Sequence, residues 1–197
     1  MPEISEPKAL ACAPACEGAA GSMRADRDAV ALVSHLAREP EREAALAALT
    51  RLGPNSRTAV LAGLRDGRWE VRRWCIWLTR LLHPDDIEQA FPLMRDPKSA
   101  VRQMAVSVLG SGEGRPDAAA PLLMERALDD SSIRVRRQAV LVLAFNYTDP
   151  QLEGLFQHLL DTETDAKLHK NAGIGWFLCR ERGRQTSPVR GRAVSSC

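Results

Sequence analysis

Any chemistry in this chain has to start from four histidines, five cysteines and one glycine-rich stretch. His35, His83, His158 and His169 are scattered, and none is followed by Glu, so no His-Glu pair offers a metal ligand beside a base. Cys12 and Cys16 are spaced Cys-x3-Cys, with no second ligand pair at zinc spacing, and read as solvated thiols. Gly110-Ser-Gly-Glu-Gly114 lacks the Lys-Ser/Thr that would hold phosphate and magnesium. No Ser or Cys stands in a recognisable nucleophile elbow. The expectation is a protein without catalytic residues, metal or cofactor, whose chemistry is recognition.

What recurs is an Asp, four residues, then Val-Arg and an apolar stretch. Asp66 precedes Val71-Arg72, Asp96 precedes Val101-Arg102, and Asp130 precedes Val135-Arg136. The Val positions lie 30 and 34 residues apart, and a degraded copy follows 33 residues later with Glu163 and Leu168-His169 in the same slots. One helical phrase per such period predicts stacked helical repeats, each burying its apolar face on its neighbours. Helical spacing marks the buried stripe: Val71, Cys75, Leu78 and Leu82; Val101, Ala105 and Val108; Val135, Ala139 and Val142; Leu168, Ala172 and Trp176. Cys75 fills an Ala slot and reads as a small core residue.

Turn and breaker signals divide the chain into five helical hairpins. The first runs from an Asp26 cap to Pro40 and then 41–52, ending at Gly53-Pro54, without the Asp phrase. The others are 56–64 with 69–82, 85–94 with 98–109, 116–128 with 132–145, and 149–160 with 165–181. Residues 1–23, mixing Pro, Gly, Ala and Ser without a period, are expected to be a disordered tail, 24–183 the repeat domain, and 184–197 a basic disordered tail. The repeated Asp is expected to accept from free N–H groups at the start of its helix.

The layout resembles the HEAT-repeat family, in particular the short HEAT-like repeats of the bilin-lyase type, over about residues 40–180. Its carriers are Asp66, Asp96 and Asp130, the Val-Arg pairs, and the small residues Cys75, Ala105 and Ala139. The resemblance implies an all-α, right-handed α-solenoid of about five hairpins. It also implies a structural ladder in which Arg72, Arg102 and Arg136 pair with acids of neighbouring repeats. In such a solenoid the face of the second helices opposite the buried stripe lines a concave surface. The slots two and six after each Val place Arg73 and Trp77, Gln103 and Ser107, Arg137 and Leu141, and Lys170 and Ile174 there, with Arg80 one turn beyond Trp77. Cations beside apolar groups suit an acidic or amphipathic protein segment, and Trp and Arg are common binding anchors.

Two enzyme classes enter through the resemblance alone. DNA glycosylases built on such repeats use a concave Trp, a carboxylate and basic residues; Trp77, Arg73 and Arg80 imitate part of that, with Glu70 the only carboxylate nearby. Bilin lyase activity is the other, and nothing in the sequence specifies a bilin pocket. Composition narrows the partner little: the 27 Lys and Arg against 25 Asp and Glu give a net charge of +2, too small to imply a polyanion. Residues 180–192 carry five Arg against one Glu and make nucleic acid the alternative partner. No apolar run approaches the roughly 18 residues of a membrane span, and the odd cysteine count fits a reducing compartment. The reading is a cytoplasmic, noncatalytic scaffold or adaptor that binds another protein along its concave face.

Overall fold

The structure, a computed structural model, describes residues 27–110 and 118–186. The Asp26 cap, Cys12, Cys16 and most of both tails lie outside the described residues, as does the loop after Gly110. The described chain is all α, an α-solenoid of stacked hairpins without strands. Helix α1 spans 27–35, followed by α2 (Glu39–Leu52), α3 (Arg57–Gly63) and α4 (Trp69–Leu82). A 3-10 segment (Pro84–Arg95) leads to α5 (Ser99–Leu109), and then come α6 (Ala119–Asp129), α7 (Ile133–Asn146), α8 (Gln151–Thr162) and α9 (Ala166–Thr186).

Breakers set the boundaries. Pro40 sits in the first turn of α2, and Gly53 ends it at φ 53°, a left-handed conformation that glycine adopts without a Cβ clash. The expected helix at 85–94 is instead 3-10. Pro84 opens this segment and Pro92 stands inside it, removing an N–H and crowding the carbonyl four residues back. Helix α9 runs through Thr186, five residues past the helix end expected at 181.

The core is a column of small and branched side chains. Val71, Val101, Val135 and Leu168 are fully buried, as are Cys75, Ala105, Ala139 and Ala172 one turn on. Small residues let consecutive helices approach closely. Gly63 of α3 lies so near α4 that an added Cβ would meet Cys75 Sγ at 2.4 Å. The second helices α4, α5, α7 and α9 pack successively, and this row presents one continuous face.

Candidate binding surface

The repeated acid is held twice. Oδ1 of Asp66, Asp96 and Asp130 accepts the backbone N–H two residues on, from Arg68, Lys98 and Ser132, at 2.8 Å in each case. Those three residues are the N-caps of α4, α5 and α7. Each carboxylate therefore closes an Asx turn ahead of its helix and does not cap the helix's own first N–H groups. The guanidinium of the preceding repeat takes the other side. Arg72 Nε and Nη2 donate to Asp96 at 2.6 and 3.0 Å, and Arg102 donates to Asp130 at 2.7 and 2.8 Å. Arg136 Nη2 reaches both oxygens of Glu163 at 2.9 Å. Arg72 and Arg102 also donate to the carbonyls of Asp66 and Asp96 in their own turns, at 2.8 Å. Asp66 is bound by Arg68 of its own turn. Burial alone pushes the Asp130 carboxyl up, but Arg102, the Ser132 N–H and Arg126 together hold it below the usual range.

The concave-face candidates divide by environment. Arg137 is not a free cation: its guanidinium donates through Nε at 2.8 Å and through Nη2 to Asp165. That bond and the Leu168 N–H lower the Asp165 carboxyl to about 2. Trp77, which the repeat pattern left without a core position, is half-buried against the core and stands edge-on to Trp74, with ring centres 6.4 Å apart. Arg73 and Arg80 are half-buried; Arg73 lies over the Trp74 ring at 5.3 Å. Gln103, Ser107 and Ile174 are half-buried, while Leu141 and Lys170 are exposed.

Of these side chains, Gln103, Arg137 and Leu141 line one cleft of about 340 Å³ between α5, α7 and α9, and Arg73, Trp77, Arg80, Ser107, Lys170 and Ile174 do not. The cleft is lined by Gln103, Arg134, Arg137, Gln138, Leu141 and Lys167, among others. Gln138 donates to Ser107 Oγ at 3.4 Å. Arg134 and Lys167 were missed in the sequence, although they lie three residues before Arg137 and Lys170 on the same helical faces. Also missed were three exposed apolar groups. Leu81 and Phe145 lie four residues beyond Trp77 and Leu141, and Phe177 three beyond Ile174; they are 50, 55 and 58% exposed. Continuing the groove slots by one helical turn would have found them.

A family model described as HEAT repeats matches residues 57–144 and 87–172, together more than half of the chain. The chain belongs to the HEAT-repeat family. HEAT repeats are generally protein-interaction scaffolds and typically noncatalytic. No curated protein matches the sequence significantly. In this HEAT solenoid the acid–arginine ladder ties successive hairpins together. No helix among the described residues is long and apolar enough to cross a membrane.

Within this HEAT domain the residues closest to nucleophile chemistry are structural. Ser56 Oγ lies 3.3 Å from His83 Nε2, but Ser56 is fully buried and donates to the Gly53 carbonyl at 2.7 Å. Asp86, the nearby acid, is taken by Arg57 through a bidentate pair. Burial pushes the Cys75 thiol up to about 12, so little thiolate exists near neutral pH. Native-state alkylation at pH 8 should therefore label half-buried Cys179 before Cys75, as read by peptide mass spectrometry; equal labelling would contradict the packing of Cys75.

The Asp165 environment gives a pH prediction. Its folded pKa, about 2, is below the ordinary 3.8, so its stabilisation is present above about pH 4 and is lost as pH falls toward 2. The difference in melting temperature between wild type and Asp165→Asn should shrink over that interval. A difference that stays constant to pH 2 would show that the carboxylate charge contributes nothing.

Proposed function

We propose that this HEAT solenoid is a noncatalytic adaptor that binds an acidic, partly apolar segment of another protein along the second-helix face. The observation that carries the reading is the pairing of two rows on α7 and α9. Leu141, Phe145 and Phe177 are exposed apolar groups, and Arg134, Lys167 and Lys170 are exposed cations beside them. Isolated exposed apolars are ordinary, but a register of them next to like-charged groups favours an amphipathic, acidic partner. Arg137 organises this surface through Asp165, so its removal would perturb the groove indirectly.

The test compares capture from a nuclease-treated lysate by wild type, Leu141→Asp/Phe145→Asp and Lys167→Glu/Lys170→Glu. All four side chains are exposed, so folding should be kept. A partner retained by wild type and weakened about tenfold or more by each pair is the expected result, since a buried aromatic anchor is worth about 2 kcal/mol. Equal capture by all three proteins would remove this surface from consideration. Recovery of nucleic acid alone when nuclease is omitted, collapsing with moderate salt, would assign the face to phosphate binding instead.

A further inference from the structure

The repeats permit an internal comparison. Arg73 and Arg137 occupy the same slot, two residues after the buried Val71 and Val135. In both repeats the preceding arginine binds the ladder acid of the next repeat, Arg72 to Asp96 and Arg136 to Glu163. Two residues beyond Glu163 stands Asp165, which takes Arg137. Two residues beyond Asp96 stands Lys98, so the position that supplies a carboxylate to Arg137 is filled by an exposed lysine in the earlier repeat. Arg73 makes no ion pair among the described residues, and its Nε is buried without a hydrogen-bond partner. Arg136 Nε is buried without a partner too, although its Nη2 is ion-paired, so Arg73 is set apart by having no carboxylate among the described residues.

A second cation converges on the same ring. The Arg42 guanidinium of α2 lies 5.8 Å from the Trp74 ring centre, and that of Arg73 lies 5.3 Å from it. Arg42 has one distant ion pair, to the mostly exposed Glu39 at 3.9 Å, and its Nε donates to the Leu36 carbonyl at 3.1 Å. Glu70, one turn before Arg73, makes no ion pair with it among the described residues. The rings of Trp74 and Trp77 give this corner an apolar wall that weakens solvent screening.

We propose that Arg73, with Arg42 at the same Trp74 ring, is a carboxylate-binding site that receives an Asp or Glu side chain of the bound protein. The incoming carboxylate accepts from the Nη groups of Arg73, because Nε is shut off from solvent, whereas Asp165 takes Arg137 through Nε and Nη2. This rests on the adaptor reading above and gives one end of the face a defined specificity. Planar guanidinium donors match a carboxylate, and the chain's own Asp165 shows that this slot accepts one.

The test uses full-length protein and three short acetylated peptides with identical leucine flanks, carrying Glu, Gln or phosphoserine at the centre. NMR of the arginine Nε–Hε and tryptophan indole resonances reads the site directly. The Glu peptide should shift Arg73 Hε and the Trp74 indole N–H, and the Gln peptide should bind about tenfold or more weakly. Arg73→Gln should remove the response. Lys98→Asp, which installs the acid found at the equivalent position of the later repeat, should pair with Arg73, keep or raise the melting temperature, and also abolish binding.

Binding of the Glu peptide to folded Lys98→Asp at wild-type strength, or equal binding of Glu and Gln peptides, would overturn the proposal. So would a response to phosphoserine alone. Should the Glu peptide leave Arg73 unmoved while capture still depends on Leu141 and Phe145, this site fails and the adaptor reading stands. The reverse pattern sinks the adaptor reading on α7 and α9 and keeps the carboxylate site.

Discussion

Asp130→Ala should be among the most destabilising single substitutions in the chain, costing about 3–5 kcal/mol, because it leaves a buried guanidinium without its counter-charge. Asp130 is 2% exposed and Arg102 8%. The carboxylate accepts two bonds from Arg102 and one from the Ser132 N–H, so its loss opens both the inter-repeat tie and the turn entering α7. For a chain of this length the melting temperature should fall by roughly 6–20 °C. Asp66→Ala is the internal control. Asp66 is paired with Arg68, whose side chain is 47% exposed, and among the described residues no arginine of a preceding repeat reaches it, so the loss should stay near about 1 kcal/mol. Thermal melts followed by circular dichroism would decide. Equal effects at the two positions would mean that burial of the ladder contributes nothing beyond the turn.

The contrast between those two acids bears on what a sequence can disclose. The repeat phrase was legible because each slot has one job. A Val one turn before a small residue must face the next hairpin, and an Asp six residues before an Arg recurs only if geometry recurs. Fold class and hairpin order follow from this, and so does the position of the second helices. The site was less legible, because surface roles depend on what the next repeat brings opposite. Arg73 and Arg137 are the same residue in the same slot. One is neutralised by Asp165 and the other is not, a difference decided 25 to 28 residues downstream. Trp77 had no core slot in the pattern, yet it packs half-buried against Trp74 because two indoles share the same helical turn. Leu81, Phe145 and Phe177 were missed for a simpler reason: beyond the slot six residues after the Val only Arg80 was taken, and the exposed face continues for another turn in the later repeats too. The 3-10 segment departed from the expected helix at its prolines, where local backbone chemistry overrode an otherwise helical apolar pattern.

The second large effect is expected at the far end of the stack, where Phe156 and Gly175 fit one another. Phe156 of α8 is fully buried, and a Cβ placed on Gly175 of α9 would come within 2.6–2.8 Å of three of its ring carbons. The glycine is there for proximity, since its backbone is helical and the atoms nearest to an added Cβ are carbons of the Phe156 ring. Phe156→Ala should cost about 3–5 kcal/mol through lost burial and the cavity left behind. Gly175→Ala should cost about 1–3 kcal/mol by overpacking, even though alanine is the better helix former by about 1 kcal/mol. Joined to Phe156→Leu, the same Gly175→Ala meets a smaller side chain, so the double variant should be more stable than the sum of the two single losses predicts. That coupling, measured as a double-mutant cycle by denaturant melts, is the decisive quantity. Strict additivity would show that α8 and α9 adjust independently, and that the close approach of ring and glycine does not fix how the last hairpin closes the solenoid.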